Sequence, residues 1–162
     1  MLRIITLFAL PAVLALTGPA AAQTIAFGGT RADTSAPVEM TSDTLTVNQS
    51  SGQAVFTGNV LIGQGAMRLS ADKVTVTYAA GGQQTIQSLT ATGGVTLVNG
   101  PDAAEAAEAV YDVATGTVTL TGDVVMTQGQ NVLSGERMQV NLSDGTAQVQ
   151  GRVRSVLQPG GN

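Results

Sequence analysis

The stretch Gly52-QAVFTGNVLIGQGAMRLSADKVTVT-Tyr78 decides how this chain reads. Ala54, Phe56, Val60 and Ile62 fall on one side of an extended chain, while Gln53, Thr57 and Asn59 fall on the other, the alternation of a strand with one buried face. A turn at Gly63-Gln64-Gly65 follows, after which Met67, Leu69 and Ala71 alternate with Arg68, Ser70 and Asp72. Val74, Val76 and Tyr78 then alternate with Lys73, Thr75 and Thr77, so the parity of the apolar set flips at Asp72-Lys73. In a period-2 pattern such a flip sends the apolar set to the wrong face unless a bulge or bend lies there, and this predicts one.

The unit recurs. Asp43 leads to Gly58-Asn59-Val60, Asp72 to Gly94-Val95, Glu108 to Gly122-Asp123-Val124 and Glu136 to Gly151-Arg152-Val153, at offsets of 15, 22, 14 and 15. Each unit holds a strand, a glycine-bearing turn (Gly52, Gly81-Gly82, Gly116, Asp144-Gly145) and a second strand. A lone hairpin cannot bury its apolar face, so the units must stack.

Outward from the repeats, Arg3 precedes an apolar run from Ile4 to Leu16, and Ala20 and Ala22 stand at the −3 and −1 positions before Gln23. The run is too short to cross ~30 Å of hydrocarbon and reads as a cleavable export signal over residues 1–22. Residues 23–36 read as a flexible lead-in with one short strand around Ile25 and Phe27, residues 37–157 as a single β domain, and residues 158–162 as a disordered tail. Within the domain, Val38, Met40, Leu45 and Val47 alternate with polar residues around a bend at Ser42-Asp43. The segment 99–107 reads as an interrupting loop, and Ala103 to Ala109 is the one place whose composition suits a helical turn, shortened by Gly100 and Pro101. Beyond it Ala109, Tyr111, Val113, Val118, Leu120, Val124, Met126, Met138, Val140, Leu142, Ala147, Val149 and Val153 share the inward parity.

Composition excludes much chemistry. The chain has no cysteine, no histidine and no tryptophan. It therefore lacks disulfides, histidine metal ligation and the Ser-His-Asp and Cys-His forms of nucleophilic catalysis. Without Arg3, six basic residues face eleven acidic ones, with no basic cluster to neutralise phosphates, which argues against a nucleic-acid partner. No cofactor motif is present, and the expectation is a non-enzyme.

About a dozen or more short antiparallel strands with one apolar face must close or roll into two facing sheets, giving an all-β fold. The interior would be walled by Val, Leu, Ile, Met and Ala, with Phe27, Phe56, Tyr78 and Tyr111 as the aromatics after residue 22. Such walls suit a dense aliphatic core and equally a slot for an acyl chain, and sequence alone leaves both open.

The runs Pro37 to Leu45, Ala54 to Val60, Gly65 to Asp72 and Leu120 to Val124 resemble the OstA-like family of periplasmic lipopolysaccharide-transport proteins, over nearly the whole chain after the leader. The resemblance implies a slightly twisted β-jellyroll, open at both ends, located in the periplasm. Its apolar interior would carry the acyl chains of lipopolysaccharide between the inner and outer membranes. It also implies head-to-tail homo-oligomers that join inner-membrane LptC-like and outer-membrane LptD-like components through the same fold. The candidate lipid-binding residues, all inward by parity, are Phe56, Val60, Ile62, Met67, Leu69, Val76, Tyr78, Leu97, Tyr111, Leu120, Val124, Met126, Met138 and Val140. Burying an acyl CH₂ yields ~0.8 kcal/mol, so a dozen carbons gain roughly 10 kcal/mol. Association costs a comparable ~4–15 kcal/mol, which suits a weak, reversible relay. For head-to-tail pairing the free edges are expected near Val38-Met40 and Ala147-Val153.

Other readings are tied to particular residues. Arg68, Lys73, Arg137, Arg152 and Arg154 are either rim ligands for lipid phosphates or solvated surface charges. Asp43, Asp72, Glu108 and Glu136 would supply the paired carboxylates of a glycan-cleaving enzyme, but their regular placement looks like turn chemistry. A ligand-free structural β-repeat protein is the alternative to the carrier.

Overall fold

The parity flip at Asp72-Lys73 is where the strand bends. A computed structural model describes residues 23–29, 32–81 and 85–159. The export-signal expectation for 1–22, Gly82 of the second turn, and residues 160–162 of the tail lie outside them. Eleven strands are described: β1 (Gln23–Ala26), β2 (Glu39–Thr41), β3 (Thr44–Asn48), β4 (Gln53–Gln64), β5 (Met67–Tyr78), β6 (Ile86–Asn99), β7 (Asp102–Asp112), β8 (Thr117–Gln128), β9 (Asn131–Asn141), β10 (Thr146–Gln150) and β11 (Arg154–Val156). All pairings are antiparallel, in the order β1-β10-β9-β8-β7-β6-β5-β4-β2, with β3 also on β4 and β11 also on β9.

The six central strands run 11 to 14 residues, about twice the usual length, because each serves two walls. Register shifts cut every one of them near its middle. The first wall contains β3, residues 53–57 of β4, 73–78 of β5, 86–92 of β6, 108–112 of β7, 117–121 of β8, 137–141 of β9, and then β10 and β1. The second contains β2, the remaining halves of β4 to β9, and β11. One pleated ribbon is thus folded along a line of corners.

The corners explain the acid-to-glycine repeat. At Gly58-Asn59, Gly93-Gly94, Gly122-Asp123 and Gly151-Arg152 both residues have φ between 41 and 86. Asn59, Asp123 and Arg152 are the positive-φ non-glycine residues among the described chain, all at this one position. The glycine is required twice over: a Cβ at Gly58 would lie 2.5 Å from Asp43 Oδ2, and one at Gly93 2.6 Å from Asp72 Cβ. On β5, β7 and β9 one residue opposes the glycine pair, and those strands flip parity there, as read at Asp72-Lys73. Two details differ from the sequence alignment. Asp72 meets Gly93 rather than Gly94, and Ala107, not Glu108, stands against Gly122, while Glu108 pairs with Thr121.

The repeat units are the hairpins of the first wall, and the same strands continue through the corner to form hairpins of the second. Several expectations are corrected. The first turn falls at Gly65-Ala66, since Gly63 and Gln64 complete β4. The segment 99–107 is not a loop: only Gly100-Pro101 turns, and Ala103 to Ala109 lies in β7, where cross-strand partners on both sides override helical composition. Val153 is 45% exposed, because Gly151-Arg152 turns the chain before it. The edges are β2 and β3 at one end of the stack and β1 and β11 at the other, since β1 covers β10.

The lead-in holds the short strand expected around Ile25 as β1, and described residues beyond it make backbone contacts with the hairpins. Phe27 is fully buried and Ala32 nearly so. The Phe27 N–H donates to the Gly145 carbonyl (2.9 Å), and the Ala32 N–H donates to the Leu142 carbonyl (3.0 Å). The described residues 27–29 and 32–36 lie between the β1 end of the stack and the β2 end. There they pack against turns of the first wall (Leu142, Gly116) and of the second (Pro101, Gly65). They form a strap across the mouth that faces the corners.

Candidate functional site

Inward side chains line up as cross-strand rows that run the length of the stack. Nearest the corner in the first wall the row is Leu45, Phe56, Val74, Ala91, Ala109, Leu120, Met138 and Val149. The next is Val47, Ala54, Val76, Leu89, Tyr111, Val118, Val140, Ala147 and Ile25. In the second wall the middle row is Met40, Ile62, Leu69, Leu97, Ala104, Met126 and Leu133. The rows stay in step because each corner absorbs the parity change.

Of the predicted site residues, Val60, Ile62, Met67, Leu69, Val76, Leu97, Tyr111, Leu120, Val124, Met126, Met138 and Val140 are buried together in one cluster, each at most 3% exposed. Phe56 and Tyr78 are partly buried and pack against it. The walls pack together, and in this conformation the mid-stack residues of the rows are closed to water. Sequence reasoning about the site omitted Phe27 and the polar residues Gln64, Asn99 and Asp102, buried to 3%, 1% and 1% exposure. The signal for those three was phase: Gln64 continues the parity of Ile62, Asn99 that of Leu97, and Asp102 that of Ala104.

At the β3 end the two first-wall rows run out into solvent. Leu45 is 52% exposed and Val47 50%, although their neighbours Phe56 and Ala54 lie inward. At the opposite end Val156 (53%), the last residue of β11, and Leu157 (67%) just beyond it are exposed.

Polar contacts concentrate at the mouth. The Tyr111 hydroxyl, from the first wall, donates to Gln64 Oε1 of the second at 2.7 Å. Gln64 Nε2 in turn donates to the strap carbonyls of Thr34 (2.9 Å) and Ala36 (3.0 Å). Burial pushes the Tyr111 phenol above its ordinary value, and the nearby Asp112 charge adds to it.

The charged candidates are not brought into one site. Arg68 donates to the carbonyls of Gly65 (2.6 Å) and Met67 (2.7 Å), closing its own turn beside an outer groove of about 280 Å³ that Pro37, Glu39 and Leu61 also line. Arg152 pairs with Glu136 at 2.9 Å on the outer face of the corner line, with both side chains largely exposed. Lys73 and Arg137 stand on different strands beside that line, and Arg154 lies on the edge strand β11. Asp43, Asp72, Glu108 and Glu136 are exposed along the outside of the corners, one to a strand or bend; Asp43, Asp72 and Glu136 pack against the corner glycines Gly58, Gly93 and Gly151, whereas Glu108 stands one residue past its corner. No group of histidine, cysteine, aspartate or glutamate that could hold a metal occurs among the described residues.

Residues 39–146 match the family described as LptA/(LptD N-terminal domain) LPS transport protein. The chain belongs to this family. It is 32% identical over 133 residues to an uncharacterized protein of Rhizobium meliloti, covering 76% of this chain and 72% of that protein. It is also 32% identical over 111 residues to the lipopolysaccharide export system protein LptA of Escherichia coli K12. That match covers 65% of this chain, and the chain spans 60% of the length of that relative. Among solved structures, LptH of Pseudomonas aeruginosa, the LptA-homologous periplasmic component of the lipopolysaccharide transport device, superposes with a TM-score of 0.69. It covers 79% of this chain and 99% of its own at 20% identity, a likeness of fold. The all-β jellyroll expected from the sequence is the fold observed.

Proposed function

We propose that this protein is a periplasmic carrier of lipopolysaccharide that holds acyl chains between its two walls and passes them along a head-to-tail array of copies. The array docks to inner-membrane LptC-like and outer-membrane LptD-like components. Family membership supports the transport role. The observation that carries the reading for this chain is the pair of apolar rows that traverse the whole stack and emerge at the exposed Leu45 and Val47.

Exposed apolar side chains at both ends, on edge strands with unpaired backbone, suit the joining of one copy's β2 and β3 end to the next copy's β1 and β11 end. Such a joint is heterologous and propagates, and the acyl slot of one copy continues into the next. The weak net gain per acyl chain lets the load move without being trapped.

Mass spectrometry of the protein extracted gently from the periplasm tests the reading: bound lipopolysaccharide is the expected result. The closed packing of the interior rows favours a second reading, a ligand-free structural module. Extraction that returns protein with no acylated lipid, together with failure to take up added lipopolysaccharide, selects that reading instead.

A further inference from the structure

The second wall changes chemistry at the mouth. After the middle apolar row, the next inward row runs Gln64, Met67, Asn99, Asp102, Gln128 and Asn131, cross-strand neighbours in that order. Burying an amide or carboxylate without partners is costly, so an apolar residue here would be the stable choice. The strap meets part of that demand. The Gly28 N–H donates to Asp102 Oδ2 at 2.6 Å, and Gln128 Nε2 donates to the same oxygen at 2.9 Å and to the Ala26 carbonyl at 3.3 Å. Gln64 holds Thr34 and Ala36. Both amide atoms of Asn99 and Asp102 Oδ1 are fully buried with no partner.

Among the described residues, the groups this row binds from the strap and the end of β1 are peptide N–H or C=O groups: Gly28 N–H and the carbonyls of Ala26, Thr34 and Ala36. We propose that the row is a binding site for the amide and hydroxyl groups of an acylated sugar, which the strap occupies in the resting protein and which the ligand takes over by displacing it. This rests on the transport reading and adds to it where the polar head sits. With acyl chains in the apolar rows, the junction between chain and sugar falls at the mouth. There Asn99 offers a donor and an acceptor, and Asp102 Oδ1 accepts from N–H or O–H. The Asp102 carboxylate disfavours a phosphate at this point, so the recognised groups are neutral. A plain fatty acid offers no such groups and gains from the apolar rows alone.

Hydrogen exchange on the purified protein tests this with two probes, an acylated glucosamine disaccharide lipid and a straight-chain fatty acid of equal chain length. The sugar lipid should speed exchange of the Gly28 and Ala32 amides at least tenfold, and the fatty acid should leave them protected. Asn99→Leu, which replaces an unpartnered buried amide with an apolar group of similar size, should weaken the sugar lipid at least tenfold and the fatty acid less than twofold. Strap amides that stay protected at saturating sugar lipid, or equal losses for both probes in Asn99→Leu, overturn the inference and leave the carrier intact. Binding of neither probe overturns the carrier reading and this inference with it.

Discussion

Tyr111 and Gln64 join opposite walls of the jellyroll through a buried 2.7 Å hydrogen bond, and Gln64 passes the tie on to the strap carbonyls of Thr34 and Ala36. This polar link joins the two walls at the mouth, in the same inward row as the buried Asn99 and Asp102. Removing the hydroxyl leaves Gln64 Oε1 buried without a donor. Tyr111→Phe should therefore lower stability by about 1–2 kcal/mol. It should also raise the rate of lipid uptake, because parting the walls no longer breaks this bond. Urea unfolding and uptake of a fluorescent acyl probe check the two effects, and uptake slower than in the parent protein would count against the clamp.

The same phenol gives the fold an alkaline limit. Its folded value lies above the ordinary value of 10.0, chiefly because burial disfavours the charged form. The unfolded chain therefore releases the proton first. The contribution of Tyr111 to stability is complete below about pH 10 and declines as pH rises from there through the folded value. In a Tyr78→Phe background Tyr111 is the only tyrosine, and its ultraviolet titration should run to higher pH than that of the unfolded chain in urea. Coincident titrations would contradict the burial of the hydroxyl.

The corners predict unequal effects for two small substitutions. Gly93→Ala places a Cβ 2.6 Å from Asp72 Cβ at a φ of 86, and should cost at least about 2 kcal/mol. Asn59→Gly relieves a left-handed residue (φ 47) but gives up the exposed bond from Asn59 Nδ2 to Asp43 Oδ2, and should change stability by less than about 1 kcal/mol. Denaturant midpoints of the two variants separate them directly.

Position along a row decides what an apolar side chain does. Leu97, fully buried mid-stack, should cost about 2–5 kcal/mol when replaced by alanine. Leu45, at the open end of its row, should change stability by less than about 0.5 kcal/mol when replaced by serine, yet weaken head-to-tail association. Thermal unfolding reads the first effect and sedimentation velocity the second. Unchanged association in Leu45→Ser would remove this end from the joint.

Much of this architecture is legible in the sequence because it is written in period 2. The flip at Asp72-Lys73 marks a corner, and the acid-to-glycine spacing marks those at Gly58 and Gly151, since a left-handed glycine packed against the acidic side chain leaves little other choice; the corner at Gly122 faces Ala107 and is found only to within a residue. The inward parity of Val60 through Val140 holds for the same reason. The strap is not legible, because Phe27 and Ala32 are bound through backbone N–H groups that any sequence carries. Gln64, Asn99 and Asp102 look like turn residues beside Gly65 and Gly100, and only their phase with Ile62, Leu97 and Ala104 tells that they are buried. In β7 the alternation is alanine against alanine and glutamate, a contrast too faint to outweigh helical composition until its neighbours are known.

The central claim is that the inward rows are a passage for acyl chains. It is tested most directly by placing a photo-crosslinking residue in turn at Phe56, Leu120, Thr57 and Thr121 and irradiating the protein with lipopolysaccharide. Phe56 and Leu120 face the interior row, and Thr57 and Thr121 point to the other side of the same strands. The account predicts adducts at the first two positions and none at the second two, whereas equal labelling of all four would contradict it.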